Sequence, residues 1–301
     1  MDYAFRRYLG RDLRNGVVVA ERSKAFELRS SEETESWIAR VVDGQILVVR
    51  RARGLIRSLW VSPSGRIYTA GAGDQGPGVY VEETGDPYAS RWVKTPLPMI
   101  YSGVFGLDDD FVFAWGGTPD ETHLSFFDGA SWHVLESPGW IQAMHGVRRD
   151  LLYAVGYDGM AAWWDGAKWN RQATTTAGII SSVYVVSEDE VYATGPCRRI
   201  LAGSIYGWTA RLAVSWPVFD LTKWTDGVFV AAGGIGLAKV DGNSIDVVRR
   251  DVKADRVIAG DSLLVVTENA LSETSDLTTF TAIPIEDMAA FMDQVRPPWN
   301  G

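Results

Sequence analysis

Short runs of apolar and small residues, each stopped by a glycine, recur along most of this chain. They read Ile67-Tyr68-Thr69-Ala70-Gly71, Val112-Phe113-Ala114-Trp115-Gly116, Leu152-Tyr153-Ala154-Val155-Gly156, Val191-Tyr192-Ala193-Thr194-Gly195 and Phe229-Val230-Ala231-Ala232-Gly233. A sixth copy, Leu264-Val265-Val266-Thr267-Glu268, lacks the glycine. The runs are too short for helices and are bounded by turn residues, so they are predicted to be strands. Upstream of the first five lies another apolar run, opening with Ile56, Ile100, Ile141, Ile180 or Val218. Downstream, Asp128-Gly129-Ala130-Ser131-Trp132 and Asp165-Gly166-Ala167-Lys168-Trp169 mark tight hairpins, with degenerate versions at Tyr206-Gly207-Trp208 and Asp241-Gly242-Asn243-Ser244-Ile245. Each module, shown most fully by Ile141 to Thr176, is therefore a meander of four antiparallel strands.

The glycines at 71, 116, 156, 195 and 233 are spaced by 45, 40, 39 and 38 residues. A period near forty with four strands per unit is the signature of a β-propeller, in which each sheet is covered by its neighbours. The expected fold is all-β, a single β-propeller domain over residues 1–301 with seven four-stranded blades, or six if the first segment is only a cap. Residues 1–15 are expected as a closing strand or cap, free to add a strand to the last blade. Residues 16–55 form a degenerate first blade, with strands near 16–20, 25–29, 37–42 and 46–50, and residues 56–283 form six clearer blades. Ala70, Ala114, Ala154, Ala193 and Ala232 suit the narrow inner part of a blade, and Trp132 and Trp169 the wide outer part. Over 284–301 the pattern changes to Ile285, Met288, Phe291, Met292 and Val295, the spacing of a short amphipathic C-terminal helix stopped by Pro297-Pro298.

Composition narrows the partners. A net charge of −9 argues against nucleic acid and anionic membrane surfaces. The single cysteine, Cys197, excludes an intramolecular disulfide framework and suits a reducing compartment. The chain starts without an apolar signal region and has no apolar stretch long enough to span a bilayer, so a cytoplasmic location is expected.

The segment Val183-Tyr184-Val185-Val186-Ser187-Glu188-Asp189-Glu190-Val191-Tyr192-Ala193-Thr194-Gly195, with Asp128 to Trp132 and Asp165 to Trp169, resembles the repeats of bacterial β-propellers in the broad WD40-like, YVTN and BNR/Asp-box group. The likeness covers roughly residues 56–283. It implies the fold and leaves activity open, because propellers host enzymes, lectins and scaffolds. The Asp-box pattern is Ser-x-Asp-x-Gly-x-Thr-Trp, whereas here Asp128 and Gly129 are adjacent and Ser125 is displaced. That departure counts against a sialidase-type assignment.

Any site should lie on the loops between second and third strands and on the blade crossings. These bring together Trp115, Trp140, Tyr157 and Trp216 with Asp120, His123, Asp158, Arg198 and Arg199, the aromatic and arginine composition of a protein interface. Blade packing for the tryptophans, and a solvated surface pair for the arginines, are the plainer readings. A sialidase would need several clamping arginines, and Arg148 and Arg149 fall in a turn at the other end. His123, His133 and His145 show no close zinc-ligand spacing, and Asp108-Asp109-Asp110 reads as a solvated turn or a calcium ligand set. No base accompanies Cys197, and no helix follows Gly233-Gly234-Ile235-Gly236, so no cofactor is expected. The expected function is non-catalytic: a protein-binding propeller serving as scaffold, adaptor or effector-immunity protein through its loop face. The alternative is a carbohydrate-binding or glycoside-hydrolysing, sialidase-like propeller.

Overall fold

Alternating runs separated by Gly- and Asp-rich turns form antiparallel meanders because a short connection can only return the chain beside the strand it has left. The computed structural model describes residues 2–23, 34–71, 73, 75–83, 91–95, 97, 101–118, 120–287 and 289. The chain has seven four-stranded sheets and the fold of a seven-bladed β-propeller. Blade 1 consists of Asp2–Asp12, Asn15–Ser23, Glu35–Val42 and Gln45–Arg53. Blade 2 consists of Ile56–Val61, Ile67–Gly71, Gly78–Glu82 and Trp92–Lys94. Blade 3 follows with Tyr101–Asp108, Phe111–Gly117, Thr122–Phe127 and Trp132–Leu135, and blade 4 with Ile141–Arg148, Leu151–Gly156, Ala161–Trp164 and Trp169–Gln172. Blade 5 takes Ser182–Ser187, Glu190–Thr194, Arg199–Ser204 and Gly207–Ala213. Blade 6 takes Asp220–Trp224, Gly227–Ala231, Leu237–Asp241 and Ser244–Arg249. Blade 7 takes Arg256–Ala259, Leu263–Val266, Ala270–Thr274 and Thr281–Pro284. Among the described residues no helix is long and apolar enough to cross a membrane.

Two compact units are present, Met1–Pro98 with Ile258–Gly301, and Met99–Val257. In the second unit the core is built between neighbouring sheets. Phe111, Phe113 and Trp115 of blade 3 pack on Met144, Leu152 and Trp164 of blade 4. Leu151, Tyr153 and Val155 meet Val183, Val185 and Leu201 of blade 5, and Tyr192 and Ile200 meet Val218, Leu221 and Val230 towards blade 6. The second strands are covered on both faces, which is why Leu151–Gly156 and Gly227–Ala231 are buried throughout. Each large apolar side chain taken out of water there contributes roughly 1.5–3 kcal/mol before chain entropy is subtracted. In the first unit, Val17, Val19 and Ile38 pack on Ile56, Leu59 and Ile67, and Phe5, Tyr8 and Trp37 pack on Leu264, Val266 and Leu271.

Residues 2–12 correct the expectation of a closing strand or cap. They are the first strand of blade 1, paired from Asp2↔Ser23 to Asp12↔Asn15, and blade 7 takes all four of its strands from 256–284. The arginines that made the segment look like a polar cap are used at the seam with blade 7. Arg6 meets Glu21 at 2.6 Å and Glu268 at 3.3 Å, Arg11 meets Asp261 at 2.8 Å, and the Phe5 N–H donates to the Glu268 carbonyl. The expected strand at 25–29 lies outside the described residues. So does most of the expected C-terminal helix, of which Ile285 to Asp287 and Ala289 are helical.

Candidate interaction face

Strand parity decides which loops share an end. With four antiparallel strands per blade, the 2–3 loops and the crossings to the next blade emerge on one side, and the 1–2 and 3–4 turns on the other. In the 99–257 unit the first set forms a continuous hydrogen-bonded row. It begins at Trp140, whose carbonyl accepts the Tyr157 N–H at 3.1 Å. This approach requires Gly156, because a Cβ there would lie 1.9 Å from the Trp140 oxygen. The consequence is a face-to-face stack of Trp140 on Tyr157, with ring centroids 3.5 Å apart and planes 10° from parallel. Both rings are partly buried.

Beyond the stack the chain makes a single 3-10 turn, Tyr157–Gly159, in which Asp158 is exposed at φ 54°, ψ 33°. The threonine run explains itself here. Thr174 Oγ1 donates to the Gly159 carbonyl at 2.8 Å, the Gly159 N–H donates to Gly178 at 2.9 Å, and Thr176 Oγ1 accepts from Gly178 at 3.0 Å. The Cys197 N–H donates to Ile179, and Val214 donates to the Arg198 carbonyl at 3.1 Å. Arg198 is exposed in the left-handed region at φ 56°, while Arg199 is partly buried and uses its carbonyl to accept Thr194 Oγ1 at 2.8 Å. The row continues through Ser181, which reaches the Phe219 carbonyl, to the Phe219 ring, 38% exposed and lying over Gly233.

Other expected site residues are placed elsewhere. Trp115 is 4% exposed, its ring lying across Gly103 within the core of blades 3 and 4, so it packs and is not displayed. Trp216 is partly buried against the core of blades 5 and 6. Asp120 is exposed on the blade 3 loop; His123 is partly buried opposite Gly116, its Nε2 3.5 Å from Glu121 and without a hydrogen bond. Trp140, Tyr157, Asp158 and Arg198 thus join one row, together with Phe219, which the sequence reading passed over. Its signal was the aromatic before Asp220 at a blade crossing, but a surface phenylalanine and a packed one look alike in sequence.

Chemistry elsewhere in the unit is inward-looking. His145 accepts the Val185 N–H at Nδ1 (3.0 Å) and stacks on Tyr184 at 4.6 Å. Although some of its surface is accessible, the dense protein around it disfavours the cation and holds its pKa down to about 4. Burial pushes the Cys197 thiol up, away from the reactive thiolate. The Asp108 to Asp110 turn is met by Arg149, which pairs with Asp110 and lies 3.9 Å from Asp108. Among the described residues no group of three His, Cys, Asp or Glu could hold a metal. Tyr192 donates to Glu190 at 2.9 Å, and Lys223 and Arg211 complete a closed network joining blades 5 and 6 at the opposite end.

The Asp-Gly turns that prompted the carbohydrate reading satisfy themselves. Asp128 Oδ1 accepts the N–H groups of Ala130 and Ser131 while Oδ2 meets His133 at 2.7 Å. Asp165 accepts from Asn170, Lys168 and Ala167, which draw its pKa down to about 2. Both turns lie at the end away from the row.

No family model and no curated protein matches the sequence. Among solved structures, the chain is similar to YCF48 bound to D1 peptide, with a TM-score of 0.61 and 14% identity over 88% of this chain and 89% of that one. It is similar to the C-terminal WD40 domain of Sif2 (TM-score 0.62, 14% identity, 94% and 81% covered) and to U3-55K (TM-score 0.64, 11% identity, 88% of each). At such identities the likeness is one of fold, and the chain has the WD40-like β-propeller fold.

Proposed function

We propose that this propeller is a non-catalytic protein-binding scaffold or adaptor that grips a partner with the loop row of its 99–257 unit. The observation that carries this reading is the Trp140–Tyr157 stack, two flat rings locked together at the head of a rigid row that ends in Phe219. Pre-stacked aromatics lose little side-chain entropy on binding, which is why such residues dominate interface energetics. The YCF48 neighbour was solved with a peptide, which is in keeping with this use of the fold. An effector-immunity role is one form of it.

The test is affinity capture from the cells in which the chain occurs, comparing wild type with Trp140→Ala and Tyr157→Ala. We expect a stoichiometric protein with the wild type and a loss of about tenfold or more in its recovery with either variant. Equal recovery by all three, or none by the wild type, would overturn the reading.

A further inference from the structure

Of the nine arginines in the 99–257 unit, most are engaged by their own chain. Arg148 pairs with Asp150 and Glu188, Arg149 with Asp110, Arg249 with Asp251, and Arg256 approaches Asp220 at 4.0 Å. Arg171 donates to the Pro138 carbonyl and Arg211 to Tyr192 and Gly242. Among the described residues Arg198, Arg199 and Arg250 have no such side-chain partner, and all three fall on the end that carries the Trp140–Tyr157 stack. Arg198 is on the 2–3 loop of blade 5 and Arg199 opens the third strand beside it. Arg250 follows blade 6, where it flanks Gly236, whose Cβ would lie 3.2 Å from the Arg250 Cα. The loops between them are continuous, through Val214, Phe219 and Gly233.

Three cations without internal counterions are unexpected in a chain with 38 acidic and 29 basic residues. Arg198 also occupies φ 56°, a left-handed conformation that is unfavourable for a non-glycine residue. Asp251 and Asp220, on the crossings beside Arg250, are engaged by Arg249, Arg256 and the Ser182 hydroxyl, while Asp120 and Asp158 are exposed on blades 3 and 4. Along the face, exposed acids stand near the stack, and the arginines not taken up by their own chain stand towards blade 6. We propose that it takes an acidic peptide segment, whose carboxylates reach Arg198, Arg199 and Arg250 while its neighbouring apolar residues lie towards Phe219 and the stack. This rests on the protein-binding reading above and adds the chemistry and the direction of the partner. Guanidinium groups are suited to it because they meet carboxylates through two parallel N–H donors.

The test is fluorescence anisotropy with a short labelled polyglutamate peptide, against polylysine and Gly-Ser peptides of equal length, at low and high salt. Wild type should bind polyglutamate in preference to both, and more weakly as salt rises. The Arg198→Ala/Arg199→Ala/Arg250→Ala variant, checked for an unchanged thermal midpoint, should lose about tenfold in affinity, whereas Arg148→Ala/Arg149→Ala at the opposite end should change it less than about twofold. If the triple alanine variant fails to fold, the corresponding triple lysine variant serves instead, and should bind several-fold more weakly than wild type while keeping its salt dependence. No preference for polyglutamate, or an equal loss from the opposite-end variant, overturns the inference. A captured native partner released by Trp140→Ala but retained by the triple variant would do the same while leaving the protein-binding reading intact.

Discussion

The imidazole of His145 accepts, at Nδ1 and 3.0 Å, the backbone N–H of Val185 in the next blade. Only the neutral ring with its proton on Nε2 can do this, so the contact ties the seam between blades 4 and 5 to one protonation state. The unfolded residue titrates near 6.5 and the folded one at about 4. Between those values the unfolded chain binds more protons, so stability falls as pH drops through the window. The loss should reach about 3 kcal/mol by pH 4. Urea midpoints measured from neutral pH to 4 should show it, and His145→Phe should be less stable at neutral pH but flatter across the window. Parallel pH profiles for the two proteins would contradict this.

Asp276-Leu277-Thr278-Thr279-Phe280 is a third copy of the Asp-Gly turn. Asp276 Oδ1 accepts the N–H groups of Thr278 and Thr279, as Asp128 and Asp165 do in theirs, and this depresses the Asp276 carboxyl. Leu277, however, stands at φ 64° where Gly129 and Gly166 stand at 94° and 96°. Leu277→Gly should relieve this and raise stability by roughly 0.5–1 kcal/mol, while Gly129→Ala, which would also press on the Asp110 Cβ, should lower it. Thermal midpoints moving the other way would show that the leucine's packing outweighs its backbone.

Gly156→Ala should unseat the stack. The added methyl would collide with the Trp140 carbonyl and, at 3.0 Å, with Met160. A backbone collision in a covered strand has no flexible side chain to absorb it, so a loss of more than about 2 kcal/mol is expected. The Trp140 fluorescence and near-ultraviolet dichroism should change with it. An unchanged spectrum would mean that the stack is held independently of Gly156.

Arg40 and Glu82 form an ion pair between blades 1 and 2, with the glutamate side chain 0% exposed. Removing one partner leaves a buried charge, so Arg40→Met should cost about 3–5 kcal/mol in denaturant melts. The double variant Arg40→Met/Glu82→Leu should recover much of that. Strictly additive losses would show that the two residues act separately.

The blades were legible because what makes them is local. Alternation with period two, a stopping glycine and an Asp-Gly turn lie within about forty consecutive residues, and repetition averages out the exceptions. Residues 2–12 were not, because Arg6 and Arg11 look like surface until their acids, up to 262 positions away, are folded beside them. Phe280 stood in for Trp132 and Trp169 without the glycine that would have marked it.

Sequence alone determined the number of strands per repeat, the repeat period and the end of each blade from which loops emerge, since all three follow from short-range pattern and strand parity. It could not separate Trp115 from Trp140. Both are tryptophans beside a glycine near a strand end, yet Gly103 on the adjacent strand makes a slot for the first, while Tyr157 receives the second at the blade crossing. Which arginines pair internally and which remain for a partner was likewise decided by the approach of residues from other blades, because the range of a charge is measured through space and not along the chain.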